Sequence, residues 1–172
     1  MVDLTLTLVL PDEPATSALG TALADALRSM SEELQTSGMV IGVAGELGSG
    51  KTTLVRAVLR RLGVVGAVKS PTFALLEPYE VSRLHLYHFD FYRFKNSHEF
   101  VESGFSDFFG PGNICLVEWP ERAGKYLPPA DLDVQLAIVD MGRSAAIGAN
   151  TEIGERCLHQ MRTSLAPAGA GA

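Results

Sequence analysis

The stretch Gly45-Glu46-Leu47-Gly48-Ser49-Gly50-Lys51-Thr52 reads G-x-x-x-x-G-K-T. Ahead of it runs Met39-Val40-Ile41-Gly42-Val43-Ala44, apolar and strand-like. Behind it Leu54, Val55, Val58, Leu59 and Leu62 recur three or four apart and share one face of a helix. Strand, glycine loop and helix are the context a phosphate-binding loop requires. The glycines let the backbone take conformations a Cβ forbids, and the helix N-terminus adds unpaired N–H donors and a partial positive charge. Lys51 is placed to reach β- and γ-phosphates while facing solvent, and the Thr52 hydroxyl to ligate Mg²⁺. The bare pattern arises by chance in roughly one chain of this length in a few hundred.

Around that centre the chain is ordinary. Its 172 residues are 47% hydrophobic and 20% charged, consistent with a single globular domain over 1–165 and a small-residue, disordered tail at 166–172. The net charge is −6, with no run of Lys or Arg beyond Arg60-Arg61, so the chain is a poor nucleic-acid binder on its own. Cys115 and Cys157 lie far apart and read as buried thiols rather than a disulfide or metal pair. No apolar run is long enough to span a membrane and Asp3 replaces a basic leader start, so the chain reads as cytoplasmic.

Alternation over Leu4–Leu10 predicts a strand, and Pro11-Asp12-Glu13-Pro14 starts a helix striped by Leu19, Leu23, Leu27, Met30 and Leu34 as far as Gly38. Phe73–Tyr79 and Arg83–Tyr92 read as strands joined by a link too short for a parallel crossover, hence an antiparallel hairpin. Residues 97–109 read as helix and turn with Ser97 as N-cap. The continuous apolar run before Glu118 suits a central strand buried on both faces. Alternation at 131–140 and 143–149 predicts a second hairpin, and 151–164 a last helix. The fold class expected is α/β: a P-loop three-layer fold whose mixed, parallel and antiparallel sheet is flanked by helices.

A P-loop site needs a second acidic ligand at the end of a neighbouring buried strand, and Glu118 has that character. Asp90, inside His88-Phe89-Asp90-Phe91-Tyr92-Arg93, is unusual in a strand; it is an edge residue, a partner to Arg93 or another cation, or a site group. His88 and Asp90 share a strand face, but with no third ligand nearby they make a poor metal site. Thr72, after Pro71, occupies the place where switch-type nucleotidases sense the γ-phosphate, although an ordinary turn reads the same way. Asp107-Phe108-Phe109-Gly110 mimics a GTPase D-x-x-G, yet no strand precedes it and no N-K-x-D is present, which favours adenine over guanine.

Four motifs together, Gly45–Thr53, Lys69–Thr72, His88–Arg93 and Ile114–Trp119, resemble in order and spacing the bacterial TsaE (YjeE) ATPases of tRNA threonylcarbamoyladenosine biosynthesis, over about residues 10–140. The resemblance implies a P-loop protein that binds ATP or ADP with Mg²⁺ and hydrolyses ATP slowly alone. It implies two partners, the threonylcarbamoyl transferase subunit and its non-catalytic paralogue, with tRNA engaged only through that complex and no membrane. It assigns Glu46, Leu47, Gly48, Ser49, Gly50, Lys51, Thr52 and Thr53 to the nucleotide, Thr52 and Glu118 to Mg²⁺, and Asp90 and Thr72 to catalysis. Trp119 falls beside the nucleotide and Pro11 beside the adenine. Beyond Asp140 the likeness ends and assigns nothing.

Two other classes use the same loop: a small-molecule kinase, and a nucleotide-binding interaction module with little turnover. Kinases of this type carry an arginine-rich lid. Here Arg83, Arg93, Arg122 and Arg143 are scattered along the chain, which argues against one.

Overall fold

The computed structural model describes residues 4–166, so the expected tail lies, from 167 on, outside the described residues. The chain runs β1 (Thr5–Leu10), α1 (Glu13–Ser29), α2 (Ser31–Ser37), β2 (Met39–Ala44), α3 (Lys51–Leu62), β3 (Leu76–Val81) and β4 (Leu84–Asp90). It continues through α4 (Glu99–Glu102), β5 (Asn113–Glu118), β6 (Leu132–Val139), β7 (Gly142–Ala149) and α5 (Glu152–Leu165), with three single 3₁₀ turns between α4 and β6.

The seven strands form one mixed sheet in the order β1-β7-β6-β2-β5-β4-β3. Four inner strands, β6, β2, β5 and β4, are parallel. Both expected hairpins form, β3–β4 at one end of the sheet and β6–β7 towards the other, where β1 closes the edge antiparallel to β7. Pro78 sits in the outermost strand β3, where its missing N–H faces no neighbour. As its apolar run requires, β5 lies in mid-sheet and is buried along nearly its whole length.

The two faces of the sheet carry different chemistry. Ile41, Val43, Ile114, Leu116 and Leu86 look towards α1, α2, α3 and α5 and build an aliphatic core. Val117, Cys115 and Phe89 look the other way, into an aromatic core with Phe91 and Phe94 from the turn after β4 and Phe100 and Phe105 from short helical turns. Phe91 and Phe94 stack at 4.5 Å, and Phe89 meets Phe105 edge-on at 5.3 Å, geometries that aromatic quadrupoles favour. Both cysteines are buried free thiols, and burial pushes each thiol up to about 12, so neither is reactive at neutral pH.

Three boundaries differ from the sequence reading. The first helix breaks at Met30, whose N–H still returns to Ala26 O at 3.1 Å while the Ser29 hydroxyl donates to the same carbonyl. Phe73 to Leu75 is a turn rather than strand: Leu75 N–H returns to Pro71 O at 2.7 Å, Leu75 takes φ +67°, and Phe73 is left exposed. Ser97 is not a side-chain cap; Glu99 takes that task, its carboxylate accepting the N–H groups of Lys95 (2.6 Å) and Asn96 (3.1 Å) ahead of a single turn of helix.

Candidate functional site

The phosphate loop leaves β2 at the carboxyl edge of the parallel strands, where β4 and β5 also end. Val43 is in register with Glu118, and Glu118 with Asp90. Neighbours in parallel register point to the same side, so both carboxylates stand on the face that carries α3. The strands thus deliver loop, Glu118 and Asp90 to one cleft of about 540 Å³.

Gly45 has φ +152°, and a Cβ there would lie 2.5 Å from both Leu136 O and Ser49 Oγ, so only glycine fits. Gly50 caps α3 with φ +102° and no side-chain bond to the first turn, whose N–H groups stay available at the cleft. Lys51 is not solvent-facing as expected: it is 5% exposed and its Nζ donates to Gly45 O (2.7 Å) and Glu46 O (2.9 Å). The Trp119 indole covers it, with Nζ 4.1 Å from the ring centroid. Burial pushes the Lys51 ammonium below its ordinary 10.5, against the opposing pull of Glu118, Glu121, Asp90 and Glu46.

Behind the lysine, Thr52 Oγ1 donates to Glu118 Oε1 at 2.9 Å, and His88 Nε2 lies 2.6 Å from Glu118 Oε2. Asp90 belongs to an inner strand, not an edge, and Arg93 is not its partner; that guanidinium lies 3.9 Å over the Phe73 ring. Asp90 instead accepts the Ser70 hydroxyl, the Thr72 hydroxyl (3.4 Å) and Tyr92 N–H (2.9 Å). Its side chain ends β4 by capturing the backbone two residues on, and it ties the Ser70–Thr72 turn to the strand ends.

Pro11, Leu47, Gly48, Gly50, Lys51, Thr52, Thr53, Thr72, Asp90, Glu118 and Trp119 all line the cleft. Glu46 and Ser49 do not: Glu46 points to solvent and Ser49 is buried behind the loop. A phosphate loop faces its ligand with backbone, so alternate side chains turn away. The discounted Asp107 lies elsewhere, in a 3₁₀ turn outside the cleft. Sequence reasoning missed Arg143, whose Nε and Nη2 donate to Gly48 O at 3.1 and 2.9 Å. Arg122 stands near the Trp119 and Tyr92 rings without lining the cleft. Of Arg83, Arg93, Arg122 and Arg143, scattered along the chain, only Arg143 lines the cleft; Arg83 borders another groove and Arg93 lies over Phe73. No motif surrounds Arg143; the only local hint is its place beside the Met141-Gly142 turn, which also lines the cleft.

The expected ligand pair, the Thr52 hydroxyl and the Glu118 carboxylate, lines the cleft and offers oxygen only, which suits a hard cation. Among the described residues no group of three His, Cys, Asp or Glu is arranged to hold a metal ion. Mg²⁺ is generally bound by few protein oxygens, with water and phosphate oxygens completing the shell. His88 and Asp90 share a strand face but engage different partners, His88 Nε2 facing Glu118 and Asp90 facing the Ser70–Thr72 turn.

Strand, glycine loop and helix, with a buried carboxylate opposite the loop threonine, define a P-loop protein of mixed-sheet α/β architecture. The family model described as "Threonylcarbamoyl adenosine biosynthesis protein TsaE" matches residues 10–145, and the chain belongs to that family. The tRNA threonylcarbamoyladenosine biosynthesis protein TsaE of Haemophilus influenzae is 36% identical over 153 residues, 89% of this chain and 95% of that one. The Bacillus subtilis protein of the same name is 33% identical over 109 residues, 63% of this chain and 68% of that one. The crystal structure of Bacillus subtilis YdiB superposes with a TM-score of 0.71 at 27% identity, covering 95% of this chain and 97% of that one. Among the described residues no helix is long and apolar enough to cross a membrane.

Proposed function

We propose that this chain is a Mg²⁺-dependent ATPase that supports a multi-subunit complex making N6-threonylcarbamoyladenosine beside the anticodon of tRNAs reading A-starting codons. The observation that carries the reading is the Thr52–Glu118 hydrogen bond directly behind Lys51. It joins a phosphate-loop hydroxyl to a strand-end carboxylate, the pair that positions a nucleotide-bound cation. In this reading the loop amides and Lys51 hold the β- and γ-phosphates, and Thr52 and Glu118 hold Mg²⁺, Glu118 through water. Bound Mg²⁺ neutralises charge at the phosphate oxygens. Asp90 orients the attacking water or senses the γ-phosphate through the Ser70–Thr72 turn. Trp119 and Pro11 border the nucleotide, whose base is adenine.

The partners are the threonylcarbamoyl transferase subunit and its non-catalytic paralogue. A net charge of −6 leaves RNA binding to them. Phosphate release from Mg²⁺-ATP, measured alone and with both subunits and tRNA, tests the reading. Slow release that the subunits accelerate supports it. No acceleration, with phosphate instead transferred to a small-molecule hydroxyl, would establish the kinase alternative. ATP binding without either outcome would leave an interaction module.

A further inference from the structure

One buried titratable group behind Glu118 has no task in that reading. His88 is wholly buried in β4; its Nε2 meets Glu118 Oε2 at 2.6 Å, and among the described residues its Nδ1 has no hydrogen-bond partner. A proton on Nδ1 would be a buried donor with nothing to receive it, a costly arrangement. The hydrogen-bond network therefore assigns the proton to Nε2 and the lone pair to Nδ1. His88 then donates through Nε2, and its acceptor among the described residues is Glu118.

Glu118 is 1% exposed and His88 wholly buried, so on the His88 side bulk water offers no ready replacement donor. Its two oxygens divide their work: Oε2 is taken by His88, and Oε1 by the Thr52 hydroxyl on the side of the phosphate loop. A carboxylate held at only one oxygen can turn about its terminal torsion, which is broad and two-fold. Held at both, its plane is fixed before any ligand arrives. We propose that His88 is a positioning residue that fixes the Glu118 carboxylate in the orientation that serves Thr52 and a nucleotide-bound divalent cation. The proposal rests on the reading of Glu118 as part of the Mg²⁺ shell. It invokes no change in ionisation of His88. Partners of this outer kind typically change metal affinity by about 10- to 100-fold.

The test is ATP affinity by calorimetry on the full chain, in EDTA and in Mg²⁺, for wild type, H88M and H88Q. Met is close to His in volume and donates nothing; the Gln amide places an N–H near the Nε2 position. ATP affinity in EDTA should be the same in all three. The gain on adding Mg²⁺ should fall by about 10- to 100-fold in H88M and be largely recovered in H88Q. A wild-type gain in H88M overturns the inference, as does an H88Q as deficient as H88M, since ring packing rather than the donor would then matter. Wild type lacking any Mg²⁺ gain overturns the metal reading itself, and the inference with it. Should H88M fail to fold, H88Q is compared with H88N, whose shorter amide ends near Nδ1. Normal coupling in H88Q with loss in H88N supports the proposal, and equal behaviour of the two overturns it.

Discussion

Glu118→Gln separates the metal role of this residue from its structural one. The carboxylate is 1% exposed and accepts two hydrogen bonds, from Thr52 at 2.9 Å and His88 at 2.6 Å. A glutamine keeps the volume but has one acceptor and one donor end. His88 donates from Nε2, so the amide oxygen must face His88 and the amide N–H must face Thr52. The Thr52 hydroxyl can rotate to accept, so no group is stranded. Charge-assisted bonds become ordinary ones, weaker by about 1 kcal/mol each, but the cost of burying a charge is relieved by a similar amount or more. Net stability should therefore change by only about 1 kcal/mol, or about 2–4 °C in melting temperature for a chain of this size. The metal effect is larger. Thr52 now spends a lone pair on the amide, and the negative charge opposite the loop is gone. Loss of a water-mediated ligand of this kind weakens metal binding by about 10- to 100-fold, or about 1.4–2.7 kcal/mol. A Mg²⁺ titration of ATP binding, followed by Trp119 emission and checked by calorimetry, should show the midpoint shifted upward by that factor while melting barely moves. An unchanged Mg²⁺ midpoint in a folded Glu118→Gln protein would refute the assignment.

Asp90→Asn should bind Mg²⁺-ATP almost normally and fail in partner-stimulated hydrolysis, because Asp90 meets the Ser70–Thr72 turn rather than Thr52; rescue of this variant, and not of Glu118→Gln, by excess Mg²⁺ would reverse the two roles. Lys51→Ala should remove nucleotide binding and leave a folded protein, since it takes out a cation that burial already disfavours; calorimetry showing wild-type ATP affinity would sink the phosphate-loop reading. Trp119 emission should already change in Lys51→Ala, whose ammonium no longer lies against the ring, and should shift in wild type on adding Mg²⁺-ATP far more than with Mg²⁺ alone; a silent spectrum would place the ring outside the nucleotide's reach. Lys51 also sets a pH dependence without nucleotide. Its folded pKa lies below the ordinary 10.5, so between those two values the unfolded chain holds more protons and stability rises with pH as the penalty of a buried cation is lifted. Lys51→Met should lack that rise in denaturant titrations across this window, and an identical rise in both proteins would assign it to other groups.

Most of the architecture was legible because its causes are local. Gly45, Gly48 and Gly50 declare a loop that needs positive φ, and the stripe after Lys51 declares the helix behind it. A continuous apolar run places β5 in mid-sheet, and short links force both hairpins to be antiparallel. Glu118 and Asp90 stood out for the same reason, as charges where a buried or alternating strand should carry none. Tertiary structure alone decided what meets what. Thr52 finds Glu118 from 66 residues away, His88 finds it from 30, and Arg143 reaches Gly48 from 95. These contacts follow from parallel register among β2, β4 and β5, which brings their ends to one edge, and from the β6–β7 hairpin crossing to the loop. No periodicity encodes them, because a strand's pattern reports which face is buried and not which strand lies beside it. The burial of Lys51 has the same origin: its charge reads as solvent-facing in one dimension, and only the folded loop carbonyls and the Trp119 ring give it an interior place.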